Sequence, residues 1–161
     1  MGDKKIIWEV ASINSGNDIL FDADPIDLLE NTYMPSITID SCSGWVELAA
    51  YGSDKFYNVV IGLSSPTSNV PFDAAGLALI TNDEELENWL NTWKENIWMN
   101  IGGILKYAAG NEDTRRIEFD AKSKRSLRQG EKLMAVVFVR NRAAGAADST
   151  IFTMDLTVFY H

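Results

Sequence analysis

Apolar and polar residues alternate most strictly in the last third of the chain. In residues 150–160, Phe152, Met154, Leu156, Val158 and Tyr160 point one way, and Thr153, Asp155 and Thr157 the other. Residues 115–122 do the same, with Ile117, Phe119 and Ala121 set against Arg116, Glu118, Asp120 and Lys122. A period of two predicts strands with one face on a core and one in water. Between them, residues 133–139 are apolar throughout, which predicts a strand covered on both faces.

The same pattern predicts strands upstream at 5–10, 36–40, 45–51, 56–63, 76–80 and 98–107. Ile6, Trp8 and Val10 form the inward row of the first, and Tyr57, Val59, Ile61 and Leu63 share a face of the fourth. Residues 14–17, Ser43-Gly44 and 52–54 carry turn chemistry, 64–71 reads as a polar loop, and 18–22 as a hairpin partner for the first strand. Asp24-Pro25 predicts a short helical turn through Leu28 and Leu29, since proline is tolerated at a first helical position. Gly102-Gly103 predicts a bulge or a close backbone approach.

One helix is predicted, at 82–96. Leu86, Trp89, Leu90, Trp93 and Ile97 form a single apolar stripe at helical spacing. Thr81 and Glu84 match a capping box, and Asp83 and Glu85 suit the positive end of the helix dipole. About eight to ten short strands with one inserted amphipathic helix predict an all-β, antiparallel two-sheet sandwich, with a jelly roll as the first choice. No repeat or linker interrupts the 161 residues, so the expectation is a single domain over 1–161.

Charge sharpens this picture. The net charge is −9, yet residues 1–113 carry −13 and residues 114–161 carry +4. The bulk of the protein should repel polyanions, leaving the C-terminal third as a basic surface. Its centre is residues 122–130, with Lys122, Lys124, Arg125 and Arg128, which Arg115, Arg116 and Lys132 are expected to extend from adjoining strand ends. Few aromatics interleave, so contact with phosphates is the expected use if the partner is nucleic acid. Pairing with an acidic neighbouring subunit is the alternative, and a solvated turn the plainest one.

Catalytic readings find little support. The one histidine, His161, is the last residue, so a nucleophile–histidine arrangement lacks a base. Cys42 is the single cysteine, which excludes an internal disulfide and a cysteine-cluster metal site. No phosphate-binding glycine loop is present. The aspartates of residues 22–27 lack the glycine and glutamate of a calcium loop. Glu9, Glu47 and Glu118 lie on strands and could in principle serve a glycosidase, but carboxylates on a wet strand face are usually just solvated. The expectation is a non-enzyme without metal or cofactor. No run of about 18 apolar residues predicts a membrane span, and the MGDKKIIWEV start predicts no signal peptide. Trp89, Trp93 and Trp8 read as core. Trp45 and Trp98 lie opposite their strands' apolar rows and, with Phe56, are candidate interface anchors.

The run 116–133, followed by an apolar strand and a final alternating strand, resembles the C-terminal part of the circovirus-like capsid proteins of small circular single-stranded DNA viruses. Their pattern Lys-Ser-x-Arg-x-Leu-x-x-Gly-Asp/Glu falls here on Lys122, Ser123, Arg125, Leu127, Gly130 and Glu131. The resemblance implies a jelly-roll subunit that self-assembles as a homo-oligomer into an icosahedral shell around a nucleic-acid genome, located in the virion after assembly within the host. Such proteins commonly begin with a long arginine-rich arm. This sequence departs from that pattern, with Lys4 and Lys5 alone, and shell formation does not depend on the arm. The runner-up expectation is a non-catalytic sandwich that binds carbohydrate or protein.

Overall fold

A computed structural model describes residues 2–14, 25–50, 54–66, 69–106, 113–141 and 149–161. In chain order its elements are β1 (Gly2–Asn14), β2 (Ile26–Glu30), β3 (Ser36–Ala50), β4 (Lys55–Ser64), α1 (Ala74–Leu77), α2 (Asp83–Thr92), β5 (Ile97–Leu105), β6 (Asp113–Ala121), β7 (Arg125–Arg128), β8 (Lys132–Asn141) and β9 (Ser149–Tyr160). One sheet runs β1-β9-β3-β6, with β7 also paired to β3; the other runs β2-β8-β4-β5.

The pairings nest. Innermost, β4 pairs with β5; outside it β3 pairs with β6, then β2 with β8, and finally β1 with β9, all antiparallel. A long hairpin folded over on itself gives this order, and the β3–β9 and β4–β8 pairings close each sheet. That is the strand order of a jelly roll. The alternation read from the sequence decides what lies between the sheets. Val46, Leu48, Val59, Ile61, Val137, Met154, Leu156 and Val158 are buried in one cluster there. Each such side chain stabilises the fold by roughly 1.5–3 kcal/mol relative to exposure.

Strand β8 is buried along its whole apolar stretch, as its sequence predicts. Leu133, Ala135, Val137 and Val139 face the other sheet, while Met134, Val136 and Phe138 join Val60 under the helices. Phe72, Ile80, Leu86 and Trp89 cover that outer face. The β4–β5 connection therefore gives one sheet a second, smaller core, and the sandwich is locally three layers thick.

Several local expectations are corrected. Residues 26–30 form a strand rather than a helical turn, because pairing with β8 buries both Leu28 and Leu29 across a bulge. Residues 36–50 are one strand, not two separated by a turn at Gly44. Gly44 has φ of +152°, and a Cβ there would meet the Asp155 carbonyl oxygen at 2.0 Å, so the glycine serves a close approach to β9. Residues 74–77 are helical rather than extended, with Asp73 as the cap accepting from Gly76 N at 2.9 Å. The main helix ends at Thr92, and its cap is Asn82, which accepts from Glu85 N at 2.9 Å, instead of Thr81. At Gly102-Gly103 the β4–β5 register is continuous, so of the two expected alternatives there is no bulge but a close approach: a Cβ would meet Asn58 Nδ2 at 2.7 Å at Gly102 and the Tyr57 hydroxyl at 2.6 Å at Gly103. The expected turns at 14–17 and 52–54 and the polar loop at 64–71 fall partly outside the described residues, as do Asp22 and Asp24. The hairpin partner at 18–22 and the inward side-chain row of Ile6, Trp8 and Val10 lie wholly outside them. Among the described residues no helix is long and apolar enough to cross a membrane.

Candidate assembly surface

The basic stretch is more structured than a loop. Its first part, Lys122 to Lys124, leaves the sheet where β6 stops, and its second part is β7, which runs along β3 in line with β6. Leu127 explains this: it is fully buried in the inter-sheet cluster and anchors the segment. Opposite the gap, β3 bulges at Asp40. The Asp40 carboxylate lies 3.9 Å from Lys124 Nζ and 2.7 Å from His161 Nδ1. Lys122 lies 3.3 Å from Asp120, and Lys132 lies 3.3 Å from Asp27. Three of the expected phosphate contacts thus already face carboxylates. Exposed pairs of this kind contribute about 0–1 kcal/mol and rearrange readily. Arg125 is half-buried on the side of Leu127, and Arg128 is exposed.

Arg115 and Arg116 do not extend this patch. They pair with Leu48 and Glu47 at the far end of β6, about 20 Å from Lys122 at roughly 3.3 Å per strand residue. Arg116 is instead part of a small cluster on the outer face of the first sheet. Its guanidinium lies 4.3 Å from the centre of the Trp45 ring and 3.3 Å from Glu47. Cross-strand neighbours of Trp45 are Glu118 and Asp155. Gly44, Trp45, Glu118, Phe119 and Asp120 line an open depression of about 340 Å³.

The three expected anchors part company. Trp45 is half-buried and carries Arg116 over its ring. Trp98 packs against the inter-sheet cluster, because the bulge opposite Ile61 and Gly62 breaks the alternation that placed it outside. Its indole nitrogen is buried without a hydrogen-bond partner among the described residues. Phe56 lies on the helical side of the second sheet, with the Arg140 guanidinium 4.4 Å from its ring centre. Arg140 is ion-paired with Asp83 at the start of α2. Burial disfavours its charged form and lowers its pKa, while Asp83 opposes that shift. Phe56 and Arg140 therefore fasten the helix to the sheet.

Other residues are better placed for contact. The turn joining β2 to β3 presents Tyr33, 87% exposed, and Met34, 57% exposed. Asn31, buried to 2%, holds this turn. Its side-chain amide donates to the carbonyls of Met34 and Leu127, both at 2.9 Å, and its Oδ1 accepts from Met34 N at 3.0 Å. Its backbone bonds to Gly130 and Glu131, and Gln129 donates to Thr32 O. The turn is thereby stitched to the β7–β8 connection. The only hint in the sequence is a Tyr-Met pair set among turn-forming residues before Pro35. Leu79, 73% exposed, lines a second cleft of about 330 Å³ between α1 and α2, together with Pro71, Ile80, Trp89, Trp93 and Glu85.

Cys42 lies within the sandwich, and burial pushes its thiol up to about 12, so it is not an activated nucleophile. Among the described residues no group of three or more His, Cys, Asp or Glu side chains is placed to hold a metal ion.

No family model and no curated protein sequence matches the chain. Among solved structures, it resembles one of infectious bursal disease virus, Gx strain, at 13% identity and a TM-score of 0.46, over 98% of this chain and 33% of that one. It also resembles the CocE/NonD family hydrolase SACOL2612 from Staphylococcus aureus, at 14% identity and 0.44, over 96% and 32%. A third likeness is to Desmodium yellow mottle tymovirus, at 7% identity and 0.38, over 99% and 89%. The chain thus spans about a third of the length of the first two. None of the scores reaches 0.5, and two viruses and a hydrolase do not agree on a function.

Proposed function

We propose that the chain is a non-catalytic structural subunit, a coat protein that self-assembles into a closed icosahedral shell around nucleic acid in a virion. The observation that carries this reading is what the jelly roll gathers at one end. There the β2–β3 turn exposes Tyr33 and Met34 on a fixed backbone, beside the basic β6–β8 connection. Tyrosine, methionine and arginine are enriched at protein interfaces. A turn held by a buried asparagine has already lost the freedom that binding would otherwise cost. The sequence resemblance falls on this same connection, from Lys122 to Glu131.

A sugar-binding module is the second reading, favoured by the half-buried Trp45 beside Glu118, Asp120 and Asp155. A sugar ring would have to displace Arg116 from the indole face. Sedimentation velocity and negative-stain electron microscopy of the purified protein decide between the readings. Closed particles of many subunits are expected. A 17.9 kDa monomer at every concentration and salt tested, with Trp45 fluorescence responding to oligosaccharides, would establish the second reading instead.

A further inference from the structure

We propose that Tyr33 and Met34 of one copy seat in the α1–α2 cleft of a second copy. This proposal rests on the self-assembly reading and names its contact. Among the described residues the large apolar side chains left exposed are Tyr33, Met34, Leu79 and Phe159. The first two form one projection, and the third lines one cleft. The projection is rigid, for the reasons given by Asn31. The cleft is floored by Trp89, Trp93 and Ile80 and has room for large side chains in its 330 Å³. Buried aromatic pockets are where binding energy concentrates at protein interfaces.

Charge selects a second copy as the occupant. Residues 71–93 carry Asp73, Asp83, Glu84, Glu85 and Glu87 and no lysine or arginine; Arg140 pairs with Asp83, while Asp73 and Glu85 lie at the cleft itself. Beside the projection, residues 122–132 carry Lys122, Lys124, Arg125, Arg128 and Lys132 with Glu131; Lys122, Lys124 and Lys132 face Asp120, Asp40 and Asp27, weak pairs that can exchange for a neighbour's carboxylates. Seating the turn in the cleft brings a basic rim onto an acidic one. The projection lies at the end of the sandwich and the cleft on the flank of the second sheet, so the two patches differ. Such a contact is heterologous, and it builds closed rings where the rotation closes, as a shell requires.

The test is site-directed cross-linking between two differently tagged variants, Met34→Cys and Leu79→Cys. Both positions are exposed, and Cys42 is buried and protonated. Mixed under assembly conditions and oxidised, the pair is expected to form one heterodimeric disulfide adduct. Met34→Cys with Phe159→Cys is expected to form none. Wild-type assembly without the Met34–Leu79 adduct overturns this contact and leaves the self-assembly reading standing. A wild-type protein that stays monomeric overturns both. As an independent measure, the double variant Tyr33→Ser with Met34→Ser should keep the native melting temperature and lose assembly by at least tenfold in critical concentration. Unchanged assembly of that variant would also overturn the contact.

Discussion

At the scale of single residues, two positions on β3 make sharp demands. Cys42 is fully buried with its pKa raised to about 12, whereas an unfolded thiol titrates near about 8.5. A raised folded-state pKa contributes stability that is complete below the unfolded value and is lost as pH rises through the folded one. The window therefore runs from about pH 8.5 to about 12, with a slope of up to about 1.4 kcal/mol per pH unit. Cys42→Ala loses packing at every pH but cannot titrate. Its deficit relative to wild type should accordingly shrink between pH 8 and pH 10, as read by urea unfolding in reductant; a constant deficit would show that Cys42 ionises freely in the fold. Gly44 makes a steric demand instead. Any Cβ there collides with the backbone of β9 and strains a φ of +152°, so Gly44→Ala should cost about 2–4 kcal/mol. A melting temperature equal to wild type would mean that β3 and β9 can separate at this point without loss.

At the scale of elements, alternation made most strands legible because their faces are wet on one side and dry on the other. Strands β6 and β9 follow it directly, and β8, covered on both faces, shows instead as an unbroken apolar run. What alternation cannot show is tertiary pairing. Gly44 reads as a turn until β9 is placed against it, and residues 26–30 read as a helical turn until β8 offers them a ladder. The candidate surface was less legible still. Lysines and arginines are visible in sequence, but not the carboxylates that Asp40 and Asp27 bring from elsewhere. Tyr33 and Met34 carry no period at all. For α2, the stripe correctly implied a buried face, but it gave Trp89 and Trp93 equal weight. Trp89 is 8% exposed, meets Phe72 and Phe138 edge-on at 5.8 and 5.5 Å, and donates to the Pro71 carbonyl. Trp93 caps the helix and is half-buried. Trp89→Ala should therefore cost about 3–5 kcal/mol as a core truncation, and Trp93→Ala about 1–2 kcal/mol for its smaller buried area. Equal losses in denaturant midpoints would contradict this ranking.

At the scale of the whole molecule, charge separates the two forces that could hold a shell together. Each subunit carries −9, so copies repel one another at low ionic strength. If protein contacts drive assembly, salt should help. At about 0.15 M the screening length is about 8 Å, short enough to mute repulsion between whole subunits. Contacts made within a desolvated cleft are screened much less. If Lys122, Lys124, Arg125 and Arg128 instead recruit nucleic acid and the polyanion gathers the subunits, salt should hinder. Each phosphate neutralised by one subunit contributes a slope of about −0.9 in log affinity against log salt for duplex, and about −0.7 for single strands. Light scattering of nuclease-treated protein from 20 mM to 500 mM sodium chloride, with and without added single-stranded DNA, distinguishes the two. The expected result is DNA-independent assembly that strengthens over this range, with DNA retained in the particles only at the low end. Particles that form only with DNA and dissolve as salt rises would assign assembly to the basic connection rather than to the apolar turn. Arg125→Glu then completes the experiment: particles that still form but no longer retain DNA assign Arg125 to nucleic acid, whereas loss of the particles places it in the basic rim that meets the acidic cleft.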